Sequence, residues 1–593
     1  MKKALNAVYI LLFLCIVIIP LVFMNHRKDA VSELDNRALA EFPSLGNDNF
    51  TDGVEQYLRD RIGGRSIMLS AYSVLNDAVV GDLAHPSYCY GQDGYIFFKM
   101  HKNVKYGDFH RTFAEMARKL QTYCEERGVE FYLIFDPEKI SVYRRYLPKG
   151  FYYNDDWVDE FCEYLDDLGV KYVNNSQMLI KKSYSEQVFN WQYDAGHWND
   201  LGCFYSTAAL YELIRQDHPE VPELTKEMFE ITEKVEHFLP NSEIVVDDTV
   251  PVFTLKTSWD DISSDWAKEI EVNPQFRHFH YYINNADGAE QLPKALIFQG
   301  SYFNRGPQFL VSATSEDIGI HNYQNVINFD YYFNIFNPDI VILDVAEYVF
   351  SDTYFNSADM KAMDLNPGII SSEMSFDAQK NSLLSAASKM NTAAGGEIVS
   401  GKNVDKVSVY TQTDGAKYAY LISSGSAYDL KTGDGVFTAS VGHGSLEETA
   451  TLYIVDADGS RRYADVELKV TENGTGGYSI TKNASYRDGV FTFTTDIDGN
   501  YFNFAHVQIM AGDGTYLMDT DARGTSPGSV SAEYTHGFES GWYIMRLKGN
   551  TNMQDEAAGK PMYLENGKTY SISFTIVELT DKKVVLKDFT VIG

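Results

Sequence analysis

Cysteine is scarce in this chain: 5 residues in 593. Cys15, Cys89, Cys124, Cys162 and Cys203 are scattered and no two form a C-x-x-C pair. That spacing excludes zinc-ribbon and iron–sulfur sites and a disulfide-stapled scaffold. Cys15 lies in an apolar N-terminal run; the other four could form one or two disulfides, and sequence does not choose the pairing. Positive charge is also short. Lys plus Arg is 50 against 83 Asp plus Glu, a net charge of −33. Such a chain lacks the clustered cations that sequence-independent binding to nucleic acid needs, so nucleic acid is excluded as a partner. Long hydrophobic runs are missing except at the very start. No pattern calls for a cofactor or a resident metal. What is abundant is aromatic surface, 41 Tyr and 36 Phe, which fits β-rich modules and mostly reflects core packing.

The one long apolar run spans residues 7–24, with Lys2 and Lys3 before it and His26, Arg27 and Lys28 after it. Eighteen helical residues reach about 27 Å, close to a bilayer's hydrocarbon thickness. No small-residue cleavage site follows, so residues 1–28 read as an uncleaved signal anchor, one membrane-spanning helix with the main body outside the cytoplasm.

Beyond a polar tether, residues 29–375 alternate helical and apolar-strand patterns. Helical periodicity marks Asp52–Val80, Phe109–Arg127, Trp157–Leu168, Leu201–Gln216 and Asn304–Ser312. Buried strands are expected near Val129–Phe135, Lys171–Val173, Lys294–Phe298 and Ile340–Val345. This is the signature of an α/β layer architecture. A linker helix is expected within 376–399. From 400 the pattern becomes short alternating strands separated by Gly, Asp, Asn and Thr turns, read as all-β sandwiches over 400–480 and 481–593, or one over 400–593. Gly433-Asp-Gly-Val-Phe-Thr438 echoes Arg487-Asp-Gly-Val-Phe-Thr492, and Asp456-Ala-Asp and Asp496-Ile-Asp-Gly499 read as hairpin turns rather than calcium loops.

Two segments carry chemistry. In Ala295-Leu-Ile-Phe298-Gln-Gly300-Ser301 an apolar strand runs into Gly-Ser, which puts a hydroxyl at the C-terminal edge of a sheet, where open α/β sheets bind ligands. In Trp191-Gln-Tyr-Asp194-Ala-Gly-His197-Trp198, a carboxylate three residues before a histidine can fold back onto the ring. The roles follow from acyl-transfer chemistry: Ser301 as nucleophile, His197 as general base and then acid, Asp194 as the group that orients the ring. Donors for a developing oxyanion are sought in the Ser301 backbone N–H, Asn304 and Asn322. Trp191, Trp198, Tyr302 and Tyr323 lie beside these motifs. Lys139, near a strand end, is a candidate substrate or supporting contact.

With these pieces in order, residues 30–350 resemble the membrane-anchored SGNH-hydrolase-like O-acetyltransferases, the group that contains AlgX, AlgJ and the DHHW-motif proteins. The resemblance rests on Leu34–Pro43, Tyr57–Arg61 with Arg65, Gly91–Phe97, Phe135–Lys139 with Tyr143 and Leu147-Pro148, Asp194–Trp198, Gly300-Ser301, and Asn337–Ile342 with Glu347. One position departs: the group places its acid two residues before His-Trp, where this chain has Ala195. The resemblance implies a flavodoxin-like, SGNH-type three-layer domain. It also implies O-acetylation of a cell-surface or secreted polysaccharide through an acetyl-enzyme, with the acetyl donor presented by a membrane-bound O-acyltransferase partner. On the same resemblance, Trp191, Trp198, Tyr302 and Tyr323 could stack on sugar rings. Two other readings remain: a carbohydrate acetyl esterase, and a non-catalytic envelope protein that binds glycan.

Overall fold

The computed structural model describes residues 50–64, 87–99 and, with short gaps, 104–472, along with scattered positions before 87; beyond 472 it describes strands alone. The expected anchor, most of the tether and Cys15 lie outside the described residues. Among the described residues no helix is long and apolar enough to cross a membrane.

The first expected helix is interrupted: its first part spans Phe50–Arg61 and stops before Gly63-Gly64, where Gly64 takes φ +73°, a left-handed conformation that favours glycine, and Met68, Tyr72, Leu75 and Val79 are helical again beyond the break.

The body is a seven-stranded sheet. Its strands are β1 (Glu130–Asp136), β2 (Tyr172–Asn174), β3 (Trp259–Asp261), β4 (Phe279–Asn284), β5 (Ala295–Gln299), β6 (Glu316–His321) and β7 (Ile340–Ala346). They lie in the order β2-β1-β7-β5-β6-β4-β3. The first five in that order are parallel, and β4 and β3 close one edge antiparallel. Central strands covered on both faces must be apolar throughout; Ala295, Leu296, Ile297 and Phe298 accordingly are all fully buried.

Helices α1 (Asp108–Glu125), α2 (Asp156–Leu168), α3 (Asp200–Ile214), α4 (Pro307–Val311) and α5 (Phe329–Phe336) cover the sheet. Ring contacts assign the layers. Phe135 meets Trp157 and Phe161 of α2, and Phe298 stacks on Phe329 of α5, on one face. Phe204 of α3 packs on Phe309 of α4 on the other. The result is the expected α/β region in three layers. The edge strands β3 and β4, and a long antiparallel hairpin, Phe229–Phe238 with Val245–Leu255, were not legible in the sequence. Cys89, Cys124, Cys162 and Cys203 are all free, so the disulfides left open by the sequence are not formed.

The first C-terminal module corrects the sandwich expectation. Strands β8 (Ala394–Ser400), β9 (Val404–Tyr410), β10 (Ala416–Ser423), β11 (Ser426–Gly433), β12 (Val436–Gly442), β13 (Thr449–Asp456) and β14 (Arg461–Glu472) form a closed barrel. Closure falls to β14, whose 12 residues pair antiparallel with β13 and parallel with β8. In–out alternation is the same in a sandwich and a barrel, so sequence periodicity cannot separate them; only the pairing of the last strand does. In the two echoing segments Gly433 pairs with Val436 and Arg487 with Val490, so each joins two antiparallel strands. At the first expected hairpin turn the Gly459 N–H donates to the Asp456 carbonyl at 2.9 Å and Arg462 Nε lies 3.0 Å from the Asp456 carboxylate; Asp496–Gly499 lies outside the described residues. Residues 481–590 form two four-stranded antiparallel sheets and one short two-stranded pairing.

The barrel is fastened to the α/β body. Arg127, just past α1, pairs with Asp429 on β11 at 3.0 Å, and Tyr123 donates to the same carboxylate at 2.7 Å. The Arg127 guanidinium also sits 3.5 Å from the Tyr123 ring centroid. Asn334 of α5 exchanges hydrogen bonds with the Asp429 backbone.

Candidate active site

The C-terminal ends of the parallel strands gather the residues singled out from sequence. Strand β5 ends at Gln299, and Gly300-Ser301 follows in a turn covering 301–304. The next helix, α4, begins at Pro307, not at Asn304, because proline favours the first helical position, where no N–H is needed. Ser301 therefore stands in a turn, and the expected helix N-terminus behind it is absent.

His197 lies 104 residues earlier in the chain, yet its Nε2 is 2.8 Å from Ser301 Oγ. Its Nδ1 is 3.2 Å from both carboxylate oxygens of Asp194. Asp194 Oδ1 also accepts the backbone N–H groups of Gly196 (2.9 Å) and His197 (3.0 Å). The fold-back expected of an acid three residues upstream is thus built as a tight carboxylate-capped turn. Ala195, the position at which the resemblance led one to expect the acid, is buried with an apolar cluster. The side chain of Asp194 is 6% exposed and that of His197 24%, so the ring is the part open to a reactant.

Side chains of four residues brace these segments. Trp198 Nε1 donates to the Tyr302 carbonyl at 3.0 Å, and the Tyr302 hydroxyl donates to the Gly196 carbonyl at 3.0 Å. Each segment thereby clasps the backbone of the other. Asp248, from the hairpin, accepts the N–H groups of Gln192 (2.6 Å) and Tyr193 (3.0 Å). Lys139 is fully buried, and its three ammonium protons meet three carbonyls: Ile96 (2.8 Å), Trp191 (3.1 Å) and Asp194 (2.8 Å). Burial pushes its pKa down to about 7, against the pull of Asp194 and Asp248. Lys139 braces the loop from within and is not a substrate contact. Gly196 is required here, since a Cβ would lie 2.5 Å from Phe98.

Other expectations land differently. Trp198, Tyr302 and Tyr323 are buried, so their ring faces are spent on the core rather than offered to a sugar. Trp191 is half-buried and donates to the Asp93 carbonyl. Asn322 is fully buried, and its amide donates to the Asp344 carbonyl behind the turn that carries Ser301. Asn304 alone of these is exposed; its side-chain oxygen accepts from Gln299 at 2.8 Å. One residue at the site was missed. Tyr348, at the end of β7, places its hydroxyl 3.0 Å from Ser301 Oγ and 2.9 Å from the Tyr323 hydroxyl. Its neighbour Glu347 had been noted for the late strand, but nothing in the local pattern marks Tyr348 as facing residue 301.

Two buried carboxyl groups lie near by. Glu347 accepts from Ser141, from Tyr153 (2.6 Å) and from the Glu138 backbone (2.9 Å), and burial lifts its pKa to about 7. Asp344 accepts the Gly300 N–H at 2.7 Å. No cluster of metal-ligating side chains exists among the described residues. Chemically, a hydroxyl, an imidazole and a carboxylate stand in proton-relay order at an exposed rim, with a phenol beside the hydroxyl.

Known proteins share partial similarity with this chain. Among solved structures, PatB1 of Bacillus cereus carrying a sulfonyl adduct is 14% identical, with 44% of this chain and 95% of that chain covered and a TM-score of 0.36. A DHHW family protein from Eubacterium siraeum is 16% identical over 48% and 98% of the two chains, TM-score 0.34. AlgX of Pseudomonas aeruginosa is 14% identical over 64% and 90%, TM-score 0.34. No curated protein matches in sequence. The family described as ALGX, SGNH hydrolase-like domain, acetyltransferase AlgX, matches residues 89–241, the stretch that contains Asp194 and His197. Over residues 89–241 the chain is thus similar to the SGNH hydrolase-like, AlgX-type acetyltransferase domain.

Proposed function

We propose that the protein is an O-acetyltransferase acting on a polysaccharide outside the cytoplasm, with Ser301, His197 and Asp194 as its catalytic triad. The observation that carries this reading is the 2.8 Å contact between His197 Nε2 and Ser301 Oγ, with Asp194 on the opposite ring nitrogen. Asp194 holds the tautomer with its proton on Nδ1, which leaves Nε2 free to accept. Ser301 Oγ attacks the carbonyl of an acetyl ester while its proton passes to Nε2. The tetrahedral intermediate collapses, the donor oxygen departs with that proton, and acetyl-Ser301 remains. A sugar hydroxyl then attacks the acyl-enzyme, gives its proton to Nε2 and leaves as the acetyl ester, restoring the Ser301 hydroxyl. The Tyr348 hydroxyl is near enough to Ser301 Oγ to donate to the oxygen that becomes negative.

The donor is supplied by a membrane-bound O-acyltransferase partner, and the apolar segment 7–24 holds the enzyme at that membrane. A net charge of −33 disfavours a polyanionic acceptor and suits a neutral or basic polymer. The test is release of acetyl from an aryl acetate by the full-length chain, with and without oligosaccharide acceptors, followed by mass spectrometry of the sugars. Acetylated sugar supports transfer; release to water with no sugar product makes the protein an esterase. Acetyl release unchanged in Ser301→Ala would remove the triad from the mechanism.

A further inference from the structure

Behind the nucleophile turn, the strand register creates a feature that the relay above does not use. In the β1–β7 pairing Asp344 sits opposite Ile134, and Asp136 opposite Ala346. Two positions apart on adjacent parallel strands, the two aspartates share one face of the sheet, the side covered by α3. Asp136 is 0% exposed and Asp344 1%. Each has one oxygen accounted for: Asp344 Oδ2 accepts the Gly300 N–H at 2.7 Å, and Asp136 Oδ1 accepts from the Asn175 amide at 3.2 Å. The other two oxygens, Asp344 Oδ1 and Asp136 Oδ2, are buried and have no donor among the described residues.

Two ionised carboxylates here would repel, and each would leave a bare acceptor in a dry interior. Among the described residues no cation offsets them: the ionisable groups around the pair are Cys203 on α3 and the phenols of Tyr302, Tyr323 and Tyr348. Burial together with the neighbouring charge pushes Asp136 well above the usual carboxylate range. Burial lifts Asp344 to about 6, the Gly300 N–H opposing. A single proton resolves both problems. Bound to Asp136, it donates to Asp344 Oδ1 and leaves Asp344 charged where it holds the Gly300 N–H.

We propose that Asp136 and Asp344 share one proton, and that the pair, acting through the Gly300 amide, fixes the turn that carries Ser301. Asp344 is a positioning residue and Asp136 the acid that keeps it singly charged. The positioning half rests on Ser301 being the nucleophile; the shared proton does not.

The experiment has two arms on the full-length chain. In the first, infrared difference spectra of wild type minus Asp136→Asn are recorded at pH 7, in both the native and the Ser301→Ala backgrounds. A protonated-carboxyl carbonyl band belonging to the wild type is expected in both, since the amide removes the only acid of the pair. A difference spectrum without that band overturns the shared proton, whether or not the protein transfers acetyl groups. In the second arm, kcat and KM for an aryl acetate are measured. Asp344→Asn exchanges the charged acceptor of Gly300 for a neutral one and lowers kcat about tenfold with KM little changed. Asp136→Asn costs about twofold, because its amide N–H stands in for the acid O–H. Equal losses in the two variants, or a change in KM alone, overturn the positioning role. Were wild type inactive on every acetyl donor, the proposed function would fail while the infrared arm still decided the pair.

Discussion

Asp194→Asn isolates the orienting carboxylate with little disturbance of the fold. In the native turn Asp194 Oδ1 accepts two backbone N–H groups, from Gly196 and His197, and the carboxylate also faces His197 Nδ1 at 3.2 Å. An asparagine oxygen can keep both backbone bonds, so the stability loss stays within about 1 kcal/mol. Its NH2 group must then face the imidazole, and an NH2 can only donate. His197 responds by moving its proton to Nε2, which becomes a donor toward Ser301 instead of an acceptor. The base is lost although every heavy atom stays in place. Reversing the tautomer and removing the countercharge of the imidazolium lowers kcat by about 10³–10⁴, or roughly 4–5.5 kcal/mol of transition-state stabilisation. The assay is aryl acetate turnover by the full-length chain, paired with a thermal melt. A melting temperature near wild type with kcat within tenfold of wild type would refute the reasoning and send the search for the acid elsewhere.

Three further outcomes are expected. Tyr348→Phe removes one hydroxyl beside Ser301 Oγ; kcat falls about 10–10³-fold with KM little changed and the melting temperature held, as steady-state kinetics and calorimetry would show. Arg127→Met leaves Asp429 buried and uncompensated and costs about 3–5 kcal/mol in urea unfolding, whereas exposed Arg59→Met, partner of Glu55, changes less than about 1 kcal/mol. His278 is pushed by burial down to about 4 from 6.5. Its folded pKa lies below its unfolded one, so the unfolded chain binds the extra proton between those values and the neutral ring's stability is lost as pH falls from about 6.5 toward 4. The advantage of wild type over His278→Gln in urea midpoints therefore shrinks across that window, by at most about 3 kcal/mol; an advantage independent of pH would contradict it.

What the sequence made legible was local. Asp194 and His197 lie in one turn, and Gly300-Ser301 follows a wholly apolar strand, so short-range pattern was enough to find them. Residues whose roles depend on strands brought together from afar were opaque. Tyr348 meets Ser301 across 47 residues, and Asp248 reaches Gln192 from a hairpin with no strong apolar signature. Lys139 read as a candidate substrate or supporting contact, because nothing nearby announces the three carbonyls that surround it. Strand β3, Trp-Asp-Asp, is short and polar at a sheet edge, where packing does not demand apolar residues. Asn304, Asn322, Tyr302, Tyr323 and Trp198 were grouped by nearness in sequence to the motifs, yet four of the five turned inward. The barrel was hidden for a different reason, since closure is a property of which strands pair and not of any strand alone.

The strand order also governs when the site can exist. Strand β7 is the last of the seven to be synthesised, yet it lies between β1 and β5, and its pairing with β1 joins Ile340 to Glu130. A nascent polypeptide that has delivered the histidine, and later the serine, still has an open slot in the middle of its sheet. Wedging the final strand into that slot closes a loop of some two hundred residues, a slow, high-contact-order event. Shortened chains ending before residue 340 should therefore be inert toward esters even with both motifs present, and during synthesis reactivity would switch on abruptly rather than grow with length.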